Sequence, residues 1–200
     1  MKAREWQRYL EAARKTHGKT VFTVTELANV SGSTPQVLNV ELNRLCKQGI
    51  ITRYARGQYG LPEAVTPEQL VPFLDPQAYI TGAFALHRHN LITQIPVEIT
   101  CFTNRRHNRS RVRMTPLGRF LFVCVQSPVY TPPPADVMAG PEQALCDYVF
   151  LMRRRGLAPV SQVTFCGLNN LEPKILKEQT IRYPKSVQQT VTEICRAASS

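Results

Sequence analysis

The stretch from Thr34 to Gly49 constrains the fold more than any other part of this sequence. Leu38, Leu42 and Leu45 fall at i, i+4 and i+7, so three leucines share one side of an α-helix and commit that side to a core. Thr34 suits an N-cap and Pro35 the first helical position, while Gly49 stops the run. Upstream, residues 3–16 read as a helix with Trp6, Tyr9, Leu10 and Ala13 on one stripe, ended by Gly18. Thr23-Val24-Thr25-Glu26 has the pattern of a capping box and opens a short helix carrying Leu27, Ala28 and Val30. Ser31-Gly32-Ser33 breaks it. Downstream, residues 50–55 and 58–61 are strand-like, with Arg56-Gly57 as a tight turn between them. Three helices and a hairpin in this order predict a winged helix-turn-helix over residues 1–62.

Residues 62–78 hold four prolines (Pro62, Pro67, Pro72 and Pro76), which predicts a linker over 63–78 with one turn of helix. Beyond it, the expected elements are a helix at 79–89, a strand from Pro96 to Thr103, and strands at 112–114 and 119–126. A proline-rich loop follows over 127–134, then helices at 141–155, 171–182 and 186–197. The expected fold class is α+β: the winged helix, then a second α+β domain over 79–200 with a small mixed sheet and C-terminal helices.

The chain has 200 residues, 43% of them hydrophobic, which suffices for a core and argues against overall disorder. No run is long and apolar enough to span a membrane, and no signal peptide is legible, so a cytoplasmic protein is expected. The net charge is +11. Residues 1–62 carry ten Lys and Arg against four acids, residues 63–140 seven against five, and residues 141–200 eight against five. The excess therefore concentrates on the three-helix segment, and a basic surface attracts polyanions, of which DNA is the commonest in a cytosol.

In a helix-turn-helix the second helix enters the major groove and its N-terminal half meets base edges. With the leucines turned inward, the helix opening at Thr34 presents Gln36, Asn39 and Asn43, whose amides can offer a donor and an acceptor to adenine. Arg44 and Lys47 near its end suit phosphates, and Arg53 and Arg56 lie on the hairpin. Asn104 to Arg113 packs five arginines into ten residues, among them Arg105, Arg106, Arg109 and Arg111, in a basic loop able to bind phosphate or an acidic partner. The candidate DNA-contacting set is thus Thr34, Gln36, Asn39, Asn43, Arg44, Lys47, Arg53, Arg56, Arg105, Arg106, Arg109 and Arg111. A winged helix used for protein contact, with the amides merely solvated, remains the alternative.

Three segments resemble one known family, the AbiEi-type antitoxins. The run from Leu45 to Pro62 looks like the end of that family's N-terminal winged helix. Tyr79-Ile80-Thr81-Gly82-Ala83-Phe84-Ala85-Leu86-His87-Arg88-His89-Asn90-Leu91-Ile92-Thr93-Gln94-Ile95-Pro96 is similar to the signature that opens its second domain, and Gly140-Pro141-Glu142-Gln143-Ala144-Leu145-Cys146-Asp147 to a later helix start. The likeness covers residues 20–155, and the last 45 residues have no match. It implies a type IV toxin–antitoxin system of the abortive-infection kind. Such a protein represses its own operon at promoter DNA with repeated half-sites and opposes a nucleotidyltransferase toxin without a stable complex. The family also contains solo regulators.

Enzyme chemistry finds little support. Gly18-Lys19-Thr20 matches the end of a P-loop, but the glycine required earlier is Ala13. After Gly32-Ser33 no paired metal-binding carboxylates follow, and the strands at 97–126 lack the acid and Glu-x-Lys of a restriction-type nuclease. His87 and His89, two apart, point to different sides of a helix. The six cysteines (Cys46, Cys101, Cys124, Cys146, Cys166 and Cys195) contain no C-x-x-C pair and read as buried reduced thiols. No cofactor, metal or catalytic residue is expected.

Overall fold

The chain is a mixed α+β protein; its computed structural model describes residues 2–107 and 110–198. It divides into two compact units, Met1–Leu74 with Thr115–Leu117, and Asp75–Met114 with Gly118–Ser200.

The first unit runs α1 (Ala3–His17), β1 (Val21–Thr23), α2 (Val24–Ser31), α3 (Pro35–Lys47), β2 (Thr52–Ala55), β3 (Gln58–Gly60) and α4 (Pro67–Leu74). Gly18 closes α1 in the left-handed conformation (φ 63°), where a side chain would be strained. The expected capping box is formed. The Glu26 amide donates to Thr23 Oγ1 at 3.2 Å, and the Thr23 amide donates to the Glu26 carboxylate at 2.8 Å. β1, unannounced by the sequence pattern, pairs antiparallel with β3 (Val21 opposite Gly60). β3 pairs in turn with β2, making a three-stranded sheet in the order β1-β3-β2. Trp6, Leu10, Phe22, Leu27, Leu38, Leu42, Leu45, Ile51 and Tyr59 form one buried cluster, which joins all three helical stripes to the sheet.

The stretch expected to be a linker carries a two-turn helix, α4. Its start is a capping arrangement: the Thr66 amide donates to Gln69 Oε1 at 3.0 Å and the Gln69 amide to Thr66 Oγ1 at 3.4 Å, with Pro67 as the first helical residue.

The second unit comprises β4 (Tyr79–Thr81), α5 (Gly82–Arg88), β5 (Glu98–Thr103), β6 (Val112–Thr115), β7 (Gly118–Cys124), α6 (Pro141–Arg154), α7 (Pro173–Thr180) and α8 (Lys185–Ala198). Its sheet has the order β4-β5-β7-β6; β4 is antiparallel to β5, and β5 is parallel to β7. The helix expected at 79–89 therefore opens as a three-residue strand. Tyr79, Ile80 and Thr81 favour the pleated surface, they pair with Phe102, Cys101 and Thr100, and the helix starts only at Gly82 (φ 66°). α6 is buried along most of its length, with Ala144, Leu145, Tyr148 and Val149 in the core. α7 is shorter than expected at both ends.

Candidate nucleic-acid interface

α3 is set by its leucines. Leu38, Leu42 and Leu45 are each 0% exposed, so the opposite side must face outward. Gln36, Asn39, Asn43, Arg44 and Lys47 are all exposed on that side, as the sequence predicts. Thr34 occupies the N-cap position with extended backbone but makes no side-chain cap bond. Its carbonyl accepts from Leu38 at 2.9 Å, Pro35 removes one orphan donor, and the exposed hydroxyl is left for solvent or a ligand. The turn between α2 and α3 needs Gly32 in the left-handed region (φ 62°), followed by Ser33, whose amide donates to Ser31 Oγ at 3.2 Å.

Two residues of this face escape the sequence reading. Val37 is 58% exposed and Val40 is 72% exposed. A valine in an amphipathic helix is read by default as core, so neither was a candidate. The available signal was phase: Val40 is one turn beyond Gln36 and lies between it and Asn43 on the side away from the leucines.

The hairpin of β2 and β3 carries the two other cations of the set. Arg53 and Arg56 are exposed, and Gly57 (φ 77°) makes the turn. The amide of Val24 donates to the Gly57 carbonyl at 3.1 Å, which ties the hairpin tip to the start of α2. Arg53 stands beside the last turn of α3: burial pushes the Cys46 thiol up, and the neighbouring Arg53, by charge and through its backbone, pulls it partly back. Thr34, Gln36, Asn39, Asn43, Arg44, Lys47, Arg53 and Arg56 are thus all outward side chains of a single unit. Lys19 is engaged locally with the Glu26 carboxylate. Although partial burial of Glu26 opposes ionisation, bonds from Lys19 and Thr23 hold its carboxyl below the usual range.

The remaining arginines belong to the second unit. Arg105, Arg106 and Arg111 are exposed on the segment between β5 and β6, and Arg109 lies outside the described residues. The start of this segment is pinned by Asp75. Its Oδ2 accepts from Thr103 Oγ1 at 2.8 Å and contacts His107 Nε2 at 2.9 Å, and the Arg105 amide donates to Thr103 Oγ1 at 3.1 Å. Arg113, the fifth arginine, turns back to the carbonyls of Ser110 (2.6 Å) and Val112 (3.3 Å).

The second unit also buries a carboxyl, Asp147 on α6, beneath three hydroxyl donors: Tyr183 at 2.6 Å, Thr81 at 2.7 Å and Tyr79 at 3.2 Å. Burial pushes Asp147 up to about 7, and the three bonds hold it partly down; burial and the adjacent carboxyl also raise the Tyr79 and Tyr183 phenols. The cluster is fully enclosed and knits β4, α6 and the turn before α8. His89 contacts the Ala139 carbonyl at 2.8 Å. Among the described residues no group of three or more His, Cys, Asp or Glu could hold a metal ion, and no helix is long and apolar enough to cross a membrane. All six cysteines are free; Cys101 and Cys146 are buried, and the other four are only partly so.

No protein-family model and no curated protein matches this chain.

Proposed function

We propose that the first unit is a winged helix-turn-helix that binds double-stranded DNA, with α2 and α3 as the helix pair, α3 in the major groove and the β2–β3 hairpin as the wing. The observation that carries this reading is the outward side of α3, where three amides and two cations stand exposed opposite three fully buried leucines. Gln36, Asn39 and Asn43 meet base edges; Arg44, Lys47, Arg53, Arg56 and the Thr34 hydroxyl meet phosphates. Arg105, Arg106, Arg109 and Arg111 are the second unit's own candidate phosphate contacts.

The likeness to AbiEi-type antitoxins supplies the biological role. The protein represses its own operon at repeated half-sites and counteracts a nucleotidyltransferase toxin without a lasting complex. It performs no catalysis and works in the bacterial cytoplasm on the nucleoid. A solo regulator without a toxin shares the same DNA chemistry.

A second reading, a protein-binding adaptor, is favoured by the exposure of Val37 and Val40. Two substitutions separate the readings on duplexes from the DNA upstream of the gene. Asn39→Ala should relax sequence preference, whereas Arg53→Ala should weaken binding to every sequence alike. If Asn39→Ala leaves the preference intact, α3 does not read bases through this face. The antitoxin role is tested by co-expression with an adjacent nucleotidyltransferase gene: growth should be restored by the full chain, and a failure to restore it leaves only the repressor.

A further inference from the structure

We propose that the outward face of α3 is built to read A·T base pairs, with Val37 and Val40 seated against thymine methyl groups beside amides that pair with adenine; this rests on the DNA-binding reading above. Val40, 72% exposed, occupies the middle of the face, with Gln36 one turn before it and Asn43 just under a turn after it; Val37, 58% exposed, flanks it. The core makes little use of either side chain, and an exposed β-branched residue is a poor choice for helix stability. In a major groove such a residue has one specific partner, because thymine alone presents a methyl group there. Gln and Asn in turn match the N6 donor and N7 acceptor of adenine.

The rest of the helix agrees. Guanine is read most often by a bidentate Arg or Lys, yet the first cation in α3 is Arg44, past the half that meets bases. Arg44 and Lys47 sit where phosphates run, with Arg53 and Arg56 on the hairpin. A protein partner fits this face less well. At helical spacing the two valines are bordered by Thr34, Gln36, Glu41, Asn43 and Arg44 rather than by further apolar side chains. The one acid among them, Glu41, accepts from the Trp6 indole, and residues 1–62 carry a net +6 from ten cations and four acids.

The test uses the full chain. Short duplexes with a randomised core are selected for binding, and the winning duplex is titrated by fluorescence anisotropy. It is then titrated again with uracil replacing thymine, which removes only the methyl group. The expected motif is centred on A·T pairs, and each uracil under Val37 or Val40 should weaken wild type about four-fold. Val40→Ser should abolish the uracil effect at its own position, while Val40→Thr, which keeps one methyl, should retain part of it; circular dichroism and thermal melts confirm that both variants fold. A guanine-centred motif, binding without preference, or a uracil duplex bound as tightly as the thymine one overturns the A·T assignment while DNA binding stands. Val40→Ser matching wild type on every duplex overturns it too, and returns the valines to a protein partner. No binding to any duplex at low salt overturns both this proposal and the DNA-binding reading.

Discussion

The indole Nε1 of Trp6 donates to the Glu41 carboxylate at 2.9 Å, which joins the buried side of α1 to α3. Trp6 is 0% exposed, and its ring meets Tyr9 edge-on at 6.5 Å. The leucines anchor α3 from one side, and this bond adds a directional constraint on its rotation. The rotational setting of α3 decides which residues face a groove, so a bond within the core bears on the outward surface.

Trp6→Phe keeps most of the apolar bulk but removes the donor to the Glu41 carboxyl. It should cost about 2 kcal/mol, read as a lower urea midpoint, and should also weaken DNA binding although Trp6 touches no DNA. Glu41→Gln keeps an acceptor and should cost less. A Trp6→Phe midpoint equal to wild type would show that the leucines alone fix the helix.

Gly60 lies in the central strand of the first sheet, opposite both Val21 and Thr52. A Cβ there would collide with the Thr20 carbonyl oxygen and stand 3.0 Å from Val65 Cγ2 and 3.3 Å from the Tyr54 ring. Backbone cannot yield as a flexible side chain can, so Gly60→Ala should destabilise the first unit by about 1–3 kcal/mol through overpacking. A thermal melt reads the loss, and an unchanged melting temperature contradicts the strand pairing described for β1, β2 and β3.

Asp147 makes stability depend on pH. Its folded-state value, pushed to about 7 by burial, lies above the ordinary 3.8, so the native state holds a proton that the unfolded chain releases. The contribution is complete below the unfolded value and is lost as pH rises through about 7. Relative to Asp147→Asn, which cannot ionise, wild type should lose stability from about pH 4 to about pH 7 and level off above that. Parallel urea midpoints across this range would mean that the three hydroxyl donors outweigh burial and keep the carboxyl at its ordinary value.

What could be read from the sequence follows a physical division. α3 was legible to the residue because a leucine period, a proline at its start and a glycine just beyond its end all agree; the Thr23–Glu26 capping box was legible for the same reason, being a local bond. α4 was hidden by its prolines, although Thr66 and Gln69 carry the capping pattern. β1 and β4 are three residues each, too short for a period, and exist through pairing with distant strands. At the candidate site the amides and cations were legible because the leucines fixed the phase, and Val37 and Val40 were not, because residue type outweighed phase. The Asp75–Thr103–His107 anchor spans distant parts of the chain, and no local pattern announces it.

The central claim, that the outward face of α3 engages DNA, is tested most directly by the salt dependence of binding to a duplex taken from upstream of the gene. The logarithm of affinity should fall steeply and linearly with the logarithm of salt concentration. Removing Arg44 and Lys47 together (Arg44→Ala with Lys47→Ala) should make that slope shallower by about 0.9 for each lost phosphate contact. A flat slope in wild type, or a steep one that the double substitution leaves unchanged, would contradict the account.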